Sequence, residues 1–532
     1  MNTAESPSAD RRPPSIAGYR ASCYIGAMND WFMNQITVTP SPVEFGSITA
    51  DKTVTVGVFN TFRHTSDIRT LNDVDLIALG AGISLTGDRQ PPIQFKSFES
   101  STIDFTATLE GDPTMNGLAG FEFDNVTIEV LFTGQRVILF GFLEIDDPVT
   151  EQLSWLTDIM KAEDGGEQRH ALRDAPRQRL TFTYTYKETD PEASRMRNLL
   201  LQNLPFVWGI PLIWEALKTT AAEIVSSTNL TLGSNIQYAD YQVGSSAIVF
   251  PSDGSSAFEV VIASIGATAL TLDQPLEVAV PAGSLVAPLR TAYIVGQPTY
   301  QDPKYGLLRT RIIFETLQNY DLANVDGSFT TLSGNVVLDD PNMISGQLVN
   351  RQLSQTQNEF DPRVGLRYQT RRELFADVIA SKSTVLHTME DIRKWRELLH
   401  DLRGSWKPFY LPTFRTDVQL QSDYDLSTAS LVVEPVGLTN FGGLEPRGAV
   451  LIRLEDGTGR QYVRAVSNVT DNTSNETIDL SSAPEVGSEV IPKELVRVSW
   501  VTLNRIEGDV ATFRHSRVGE ATLTFATRGI QD

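Results

Sequence analysis

The chain has 532 residues, 41% of them hydrophobic and 21% charged, enough for several buried cores at roughly 100–200 residues per domain. No apolar run reaches the ~18 residues a membrane helix needs, and the single cysteine, Cys23, rules out an internal disulfide. The net charge of −22 argues against gripping nucleic-acid phosphates, which takes clustered Lys and Arg, but not against a surface past which DNA slides.

Taken in order, residues 1–33 carry charge and proline with no following apolar segment, so a flexible arm is expected and not a secretory signal. Residues 34–145 read as a β-sandwich. Val54, Val56 and Val58, then Ile103, Phe105, Ala107 and Leu109, then Val126, Ile128 and Val130 alternate with polar or small residues, the period of half-buried strands. Glycine-rich turns at 80–82, 111–113 and 133–134 separate them. The stretch from Pro42 to Gly46, followed by a strand over 54–60, resembles the opening of immunoglobulin-like domains of the Hydin and major-sperm-protein type. Residues 151–162 fit a helix through Leu153, Leu156 and Met160, or a strand through Leu153, Trp155, Thr157 and Ile159; a strand is expected.

From here the chain repeats itself. The segment 165–180 (GGEQRHALRDAPRQRL) aligns with 359–374 (EFDPRVGLRYQTRREL), matching Arg169 to Arg363, Arg173 to Arg367 and Arg177 to Arg371 at an offset of 194 (363 − 169). A β-rich run follows each, then a helix pattern (196–200 against 395–399), an aromatic strand ending in proline (208–211 against 409–412) and a Gly-Ser segment (283–288 against 487–492). Five landmarks in one order, with drifting offsets, imply one module duplicated in tandem. Expected boundaries are 146–323 and 336–532, joined by a linker at 324–335, with a small β-barrel inserted at about 225–290 in the first and 417–497 in the second. Asp190 and Pro191 mark the start of the first helix, and Thr388 with Asp391 resembles a capping box opening the second. There Ile392, Trp395, Leu398, Leu399 and Leu402 form an apolar stripe expected to be core, and Gly404 can end the helix.

Little in the chain points to chemistry. Five scattered histidines show no metal-ligand spacing, and no nucleophile elbow, Walker loop or dinucleotide fingerprint is present, so no catalytic residue, cofactor or metal is expected and the chain is not read as an enzyme. The conspicuous residues are the repeated arginines Arg169, Arg173, Arg177, Arg363, Arg367 and Arg371 in an acidic chain. Two readings stay open: a strand face paired with carboxylates of its own domain, or contacts between subunits, for which the guanidinium fork suits a neighbour's Asp or Glu.

The run Gly-Glu-Gln-Arg, Leu-Arg, Pro-Arg, Arg-Leu before a strand, then an Arg/Leu-rich helix, then an aromatic-Pro strand, is similar to distal tail and baseplate-hub proteins of long-tailed bacteriophages. The second copy lacks the Gly-Gly-Glu-Gln start and has Phe360-Asp361-Pro362 in its place. The resemblance implies a mainly β fold of tail-tube type, made in the bacterial cytoplasm and carried at the virion's tail tip. It implies a ring around the DNA channel, between the tail tube and a central hub or fibre and beside the tape measure. DNA is only passing cargo and no membrane is entered. Two modules per chain would let a trimer give pseudo-sixfold symmetry, with a hexamer as the alternative. A carbohydrate-binding adhesin and a wall hydrolase are the other readings; Tyr238, Tyr241, Phe250 and Phe258 are the aromatics a glycan site in the first barrel would use.

Overall fold

The computed structural model describes residues 33–530 except 49–50, 87–88, 109–110, 125, 143–144, 147, 162–165, 325–328, 341–342, 344–350, 356, 372–375 and 442–447. The expected N-terminal arm therefore lies outside the described residues save residue 33. The chain is mainly β, and it divides into two compact units: residues up to Phe140 with Gln202–Gly209, and Gly141–Leu201 with Ile210–Asp532.

The first unit is a sandwich of nine strands: β1 (Ile36–Thr39), β2 (Val43–Ile48), β3 (Lys52–Asn60), β4 (Arg69–Asp75), β5 (Ile83–Thr86), β6 (Ile93–Phe95), β7 (Ser100–Ala107), β8 (Thr114–Phe123) and β9 (Val126–Leu139). One sheet runs β1-β3-β7-β5; in the other β9 pairs with β2 and β8, and β4 with β8 and β6. The alternation works as expected: Val56, Val58, Ile103, Phe105 and Ala107 turn inward, and Phe105 packs its ring 5.0 Å from Phe132 and 5.9 Å from Phe121.

From Val149 onward the chain contains one element succession twice. The first copy comprises β10 (Val149–Ser154), β11 (Thr157–Lys161), β12 (Glu167–Ala171), β13 (Arg177–Lys187), α1 (Pro191–Asn203), β14 (Val207–Pro211), β15 (Leu217–Lys218), β16 (Asn229–Thr231), β17 (Ser246–Phe250), β18 (Phe258–Ile265), β19 (Ala269–Leu272), β20 (Leu285–Ile294), β21 (Thr299–Lys304) and β22 (Leu307–Thr316). A short hairpin, β23 (Thr331–Leu332) with β24 (Asn335–Val336), follows. The second copy comprises β25 (Arg351–Ser354), β26 (Gln357–Phe360), β27 (Tyr368–Arg371), β28 (Asp377–Leu386), α2 (Met389–Leu402), β29 (Phe409–Pro412), β30 (Tyr424–Asp425), β31 (Ser430–Val433), α3 (Leu438–Phe441), β32 (Ala449–Leu454), β33 (Gln461–Asp471), β34 (Glu476–Leu480), β35 (Val490–Ile491), β36 (Val496–Arg517) and β37 (Glu520–Gly529).

The pairings correspond strand for strand. β13 pairs with β10 and β22 as β28 pairs with β25 and β37. In the stretches expected as inserted barrels, β16-β19-β18-β17-β20 is matched by β31-β34-β33-β32-β36, each over its own apolar cluster. The Leu212 N–H donates to the Pro288 carbonyl at 2.8 Å, as the Thr413 N–H does to Trp500 at 2.9 Å.

The registers also fix which residues correspond. Leu153 faces Gln178 and Leu353 faces Val378, an offset of 200 on both strands (353 − 153, 378 − 178). The 194 offset drawn through the arginines is therefore not the structural one. Arg169 sits mid-strand in β12 opposite Ile159, whereas Arg363 lies in the loop between β26 and β27 with a left-handed φ of 59°. Both hairpins are exposed and arginine-rich, so a four-residue arginine spacing can be matched in a register the backbone does not use. The residues expected as a linker, 324–335, run into hairpin β23–β24. Leu332 and Val336 pack on the core holding Val337 and Leu338, and the Leu338 N–H donates to Tyr410 at 2.8 Å.

The helices form where their caps place them. Thr388 Oγ1 accepts the Asp391 N–H at 3.0 Å at the start of α2, and all five stripe residues are buried. Asp190 Oδ1 accepts the Glu192 N–H at 3.0 Å at the start of α1. Of residues 151–162, 151–154 and 157–161 form strands, as expected, with a corner between β10 and β11, and residue 162 lies outside the described residues.

Candidate functional site: the seam between the repeats

The two repeats share one sheet. β10 pairs on one side with β13 of its own repeat and on the other with β36 of the second, so the strands run β21-β22-β13-β10-β36-β37-β28-β25, antiparallel throughout. Glu151 lies on this seam, opposite Phe513, and is fully buried because alternation points it to the same face as Leu153 and Trp155.

Charged side chains from both repeats converge on that carboxylate. Arg396, from α2, reaches Glu151 at 2.9 Å with one Nη and Glu215, in the turn after β14, at 2.6 Å with the other. His515 Nε2 lies 2.7 Å from the same Glu151 oxygen, and Gln178 donates to the other oxygen at 2.7 Å. Glu215 also accepts the Asp240 N–H at 2.6 Å, and Asp240 pairs with Arg290 at 2.6 Å. Trp214 stacks on His515 with ring centres 4.7 Å apart. The cluster adjoins a cavity of about 20 Å³ lined by Asp240, Arg290, Arg396 and His400, room for about one water and no substrate.

The electrostatics follow from burial with compensation. Burial pushes the Glu151 carboxyl up, but Arg396 beside it and the His515 hydrogen bond outweigh this and hold it well below the usual range. Burial opposes charge on Arg396 as well; Glu151, Glu215 and Asp240 together hold it charged. Burial and the nearby Arg396 push His400 down to about 4, and its Nδ1 accepts the Leu322 N–H at 3.1 Å. Around the corner Asp509 ties the repeats again. Its carboxylate accepts the Thr157 N–H at 2.7 Å from the first repeat and the Ser405 N–H at 2.6 Å from the second.

The repeated arginines fall mostly elsewhere. Arg169 crosses the seam: it pairs with Glu167 in its own hairpin and donates to the Ser405 carbonyl at 3.0 Å. Arg173 is half-buried in the turn after β12, and Arg177 is exposed, 3.7 Å from Glu315. Arg363 is exposed in its loop. Arg367 pairs with Glu359 at 3.0 Å and Asp361 at 3.2 Å within its hairpin, 64% exposed. Arg371 lies in β27; its side chain is outside the described residues.

No family model matches the chain, and no curated protein matches it. Among the described residues no group of three or more His, Cys, Asp or Glu gathers as metal ligands, and no helix is long and apolar enough to cross a membrane. What the seam does is mechanical: it fixes one repeat against the other through a buried network whose loss on either side would strand a charge. The sequence reading missed Arg396, Glu151 and Glu215. One signal was available: Arg396 follows Ile392 by four residues and precedes Leu399 by three, inside the apolar stripe, where a cation needs a buried partner.

Proposed function

We propose that the chain is a structural component of a bacteriophage tail tip, forming a ring around the DNA channel between the tail tube and a central hub or fibre. The observation that carries this reading is the shared sheet: two homologous repeats joined side by side through β10 and β36, the geometry of two neighbours in a ring written into one chain. A head-to-tail join closes into a ring when its rotation permits, and three chains supply six repeats (3 × 2) around a pseudo-sixfold axis. The net charge of −22 suits a lumen that DNA must traverse without adhering.

Native mass measurement with negative-stain imaging of the purified chain tests the reading. A three-chain particle with six lobes is expected; six chains would replace the trimer with the hexamer, and a monomer at all concentrations overturns the ring. Gold-labelled antibody against the chain should decorate the tail tip of virions; label on the capsid or none at all overturns the location.

A further inference from the structure

The internal seam predicts its own counterpart between molecules. By register, β25 corresponds to β10 at an offset of 200, and β21 corresponds to the outer part of β36 at 213, since Thr299 faces Arg311 as Thr512 faces Thr524. β10 has strand partners on both sides, whereas among the described residues β25 pairs only with β28 and β21 only with β22. These two open edges stand at opposite ends of the eight-strand sheet. All six residues of β21 are exposed, and Leu353 on β25 is 72% exposed. Such edges are open to strand addition unless something covers them.

We propose that β25 of one copy pairs antiparallel with β21 of the next copy of this chain, repeating the β10–β36 join between molecules. Transferring the internal register puts Arg351 opposite Tyr300, Gln352 opposite Thr299 and Leu353 opposite Pro298, as Glu151, Gln152 and Leu153 face Phe513, Thr512 and Ala511. Pro298 and Pro303 bracket Thr299–Asp302 and confine the pairing to a short window, which limits promiscuous growth along the edge.

Charge supports this occupant over any other. In the internal seam Glu151 meets His515, two residues beyond its direct partner. In the transferred register the same two places hold Arg351 and Asp302, a cation on β25 against a carboxylate on β21. Arg351 also belongs to a cluster short of anions. Lys382, only 2% exposed, occupies the place where the first repeat has Phe182. Burial, then Arg351 and Arg415, push its ammonium down to about 8. Asp417 is near, but Thr413 Oγ1 and the Trp500 N–H already occupy its Oδ2. Asp302 of a second copy brings a second carboxylate to three cations that, among the described residues, have Asp417 alone beside them. The Arg351–Asp302 attraction would form between two solvent-reached edges, so the joint should loosen with salt. Three copies joined this way carry 24 strands (3 × 8) in one closed belt.

The joint rests on the ring reading, and paired cysteines separate the two. In the full chain with Cys23→Ser, Gln352→Cys and Thr299→Cys together should give disulfide-linked species that stop at three copies on a non-reducing gel, and neither alone should. A three-copy particle by native mass without cross-links overturns this joint and leaves the ring. Cross-linked chains that run past three into filaments keep the joint and overturn the closed ring. A monomer without cross-links overturns both. As a second variant, Arg351→Glu and Asp302→Arg should each raise the concentration at half-assembly at least tenfold, and the double exchange should recover most of it; a double variant no better than the singles overturns the ion pair.

Discussion

The two repeats keep the same apolar frame and differ at the charges along their edges. In α2, Ile392, Trp395 and Leu399 are buried where α1 buries Ala193, Met196 and Leu200, an offset of 199. Arg396 is therefore the counterpart of Arg197, yet Arg396 is buried among three carboxylates and Arg197 is exposed. Likewise Glu151 is fully buried, while its counterpart Arg351 is half-buried at an open edge. A duplicated module could pair with either copy of itself. Opposite signs at one position discriminate: Arg351 set against β36 would find His515 where β21 offers it the Asp302 carboxylate. Core packing is shared, and edge charge decides which edge joins which.

The sharpest way to break that comparison is to truncate both counterparts. Arg396→Ala strands Glu151 and Glu215 without their cation and should destabilise the second unit by about 3–5 kcal/mol, whereas Arg197→Ala should stay within about 0.5 kcal/mol. Thermal melts of the two variants at pH 7 check this; equal losses would mean that burial at the seam is not what distinguishes the repeats.

A pH titration sharpens it next. His400 has its folded pKa lowered to about 4 from an ordinary 6.5, so the unfolded chain takes the proton first. Its contribution is fully present above pH 6.5 and is lost as pH falls toward 4, by up to roughly 3 kcal/mol at about 1.4 kcal/mol per unit. His400→Asn can still accept the Leu322 N–H and should flatten the stability curve across that window; an unchanged slope refutes the assignment. Glu151, held low by Arg396, contributes above its unfolded pKa near 4.3, and its share is lost only at more acid pH.

Smaller effects test the periphery. Thr388→Ala removes the cap of α2 and should cost about 1 kcal/mol in chemical denaturation, with Thr388→Ser restoring most of it. Arg367→Ala breaks an ion pair in an exposed hairpin and should cost less than about 1 kcal/mol. A larger loss there would reinstate the repeated arginines as structural.

The sequence by itself determined the mainly β class, the strands of the sandwich, both helices with their caps, and the fact of a repeat. These rest on local signals: alternation at period two, an apolar stripe at helical spacing, cap residues, and landmarks in fixed order. The register of the repeat was beyond its reach. Arg169 and Arg363 match as letters but not as places: the offset stays at 200 through the hairpin, where Ile159 facing Arg169 is answered by Glu359 facing Gln369, and a recurring arginine spacing cannot by itself choose between 194 and 200. The tertiary structure alone decided which charges matter. Glu151, Glu215, Arg396 and His515 are far apart in sequence and meet only because β10 crosses to β36, and burial is what turns their proximity into a network that must be kept whole.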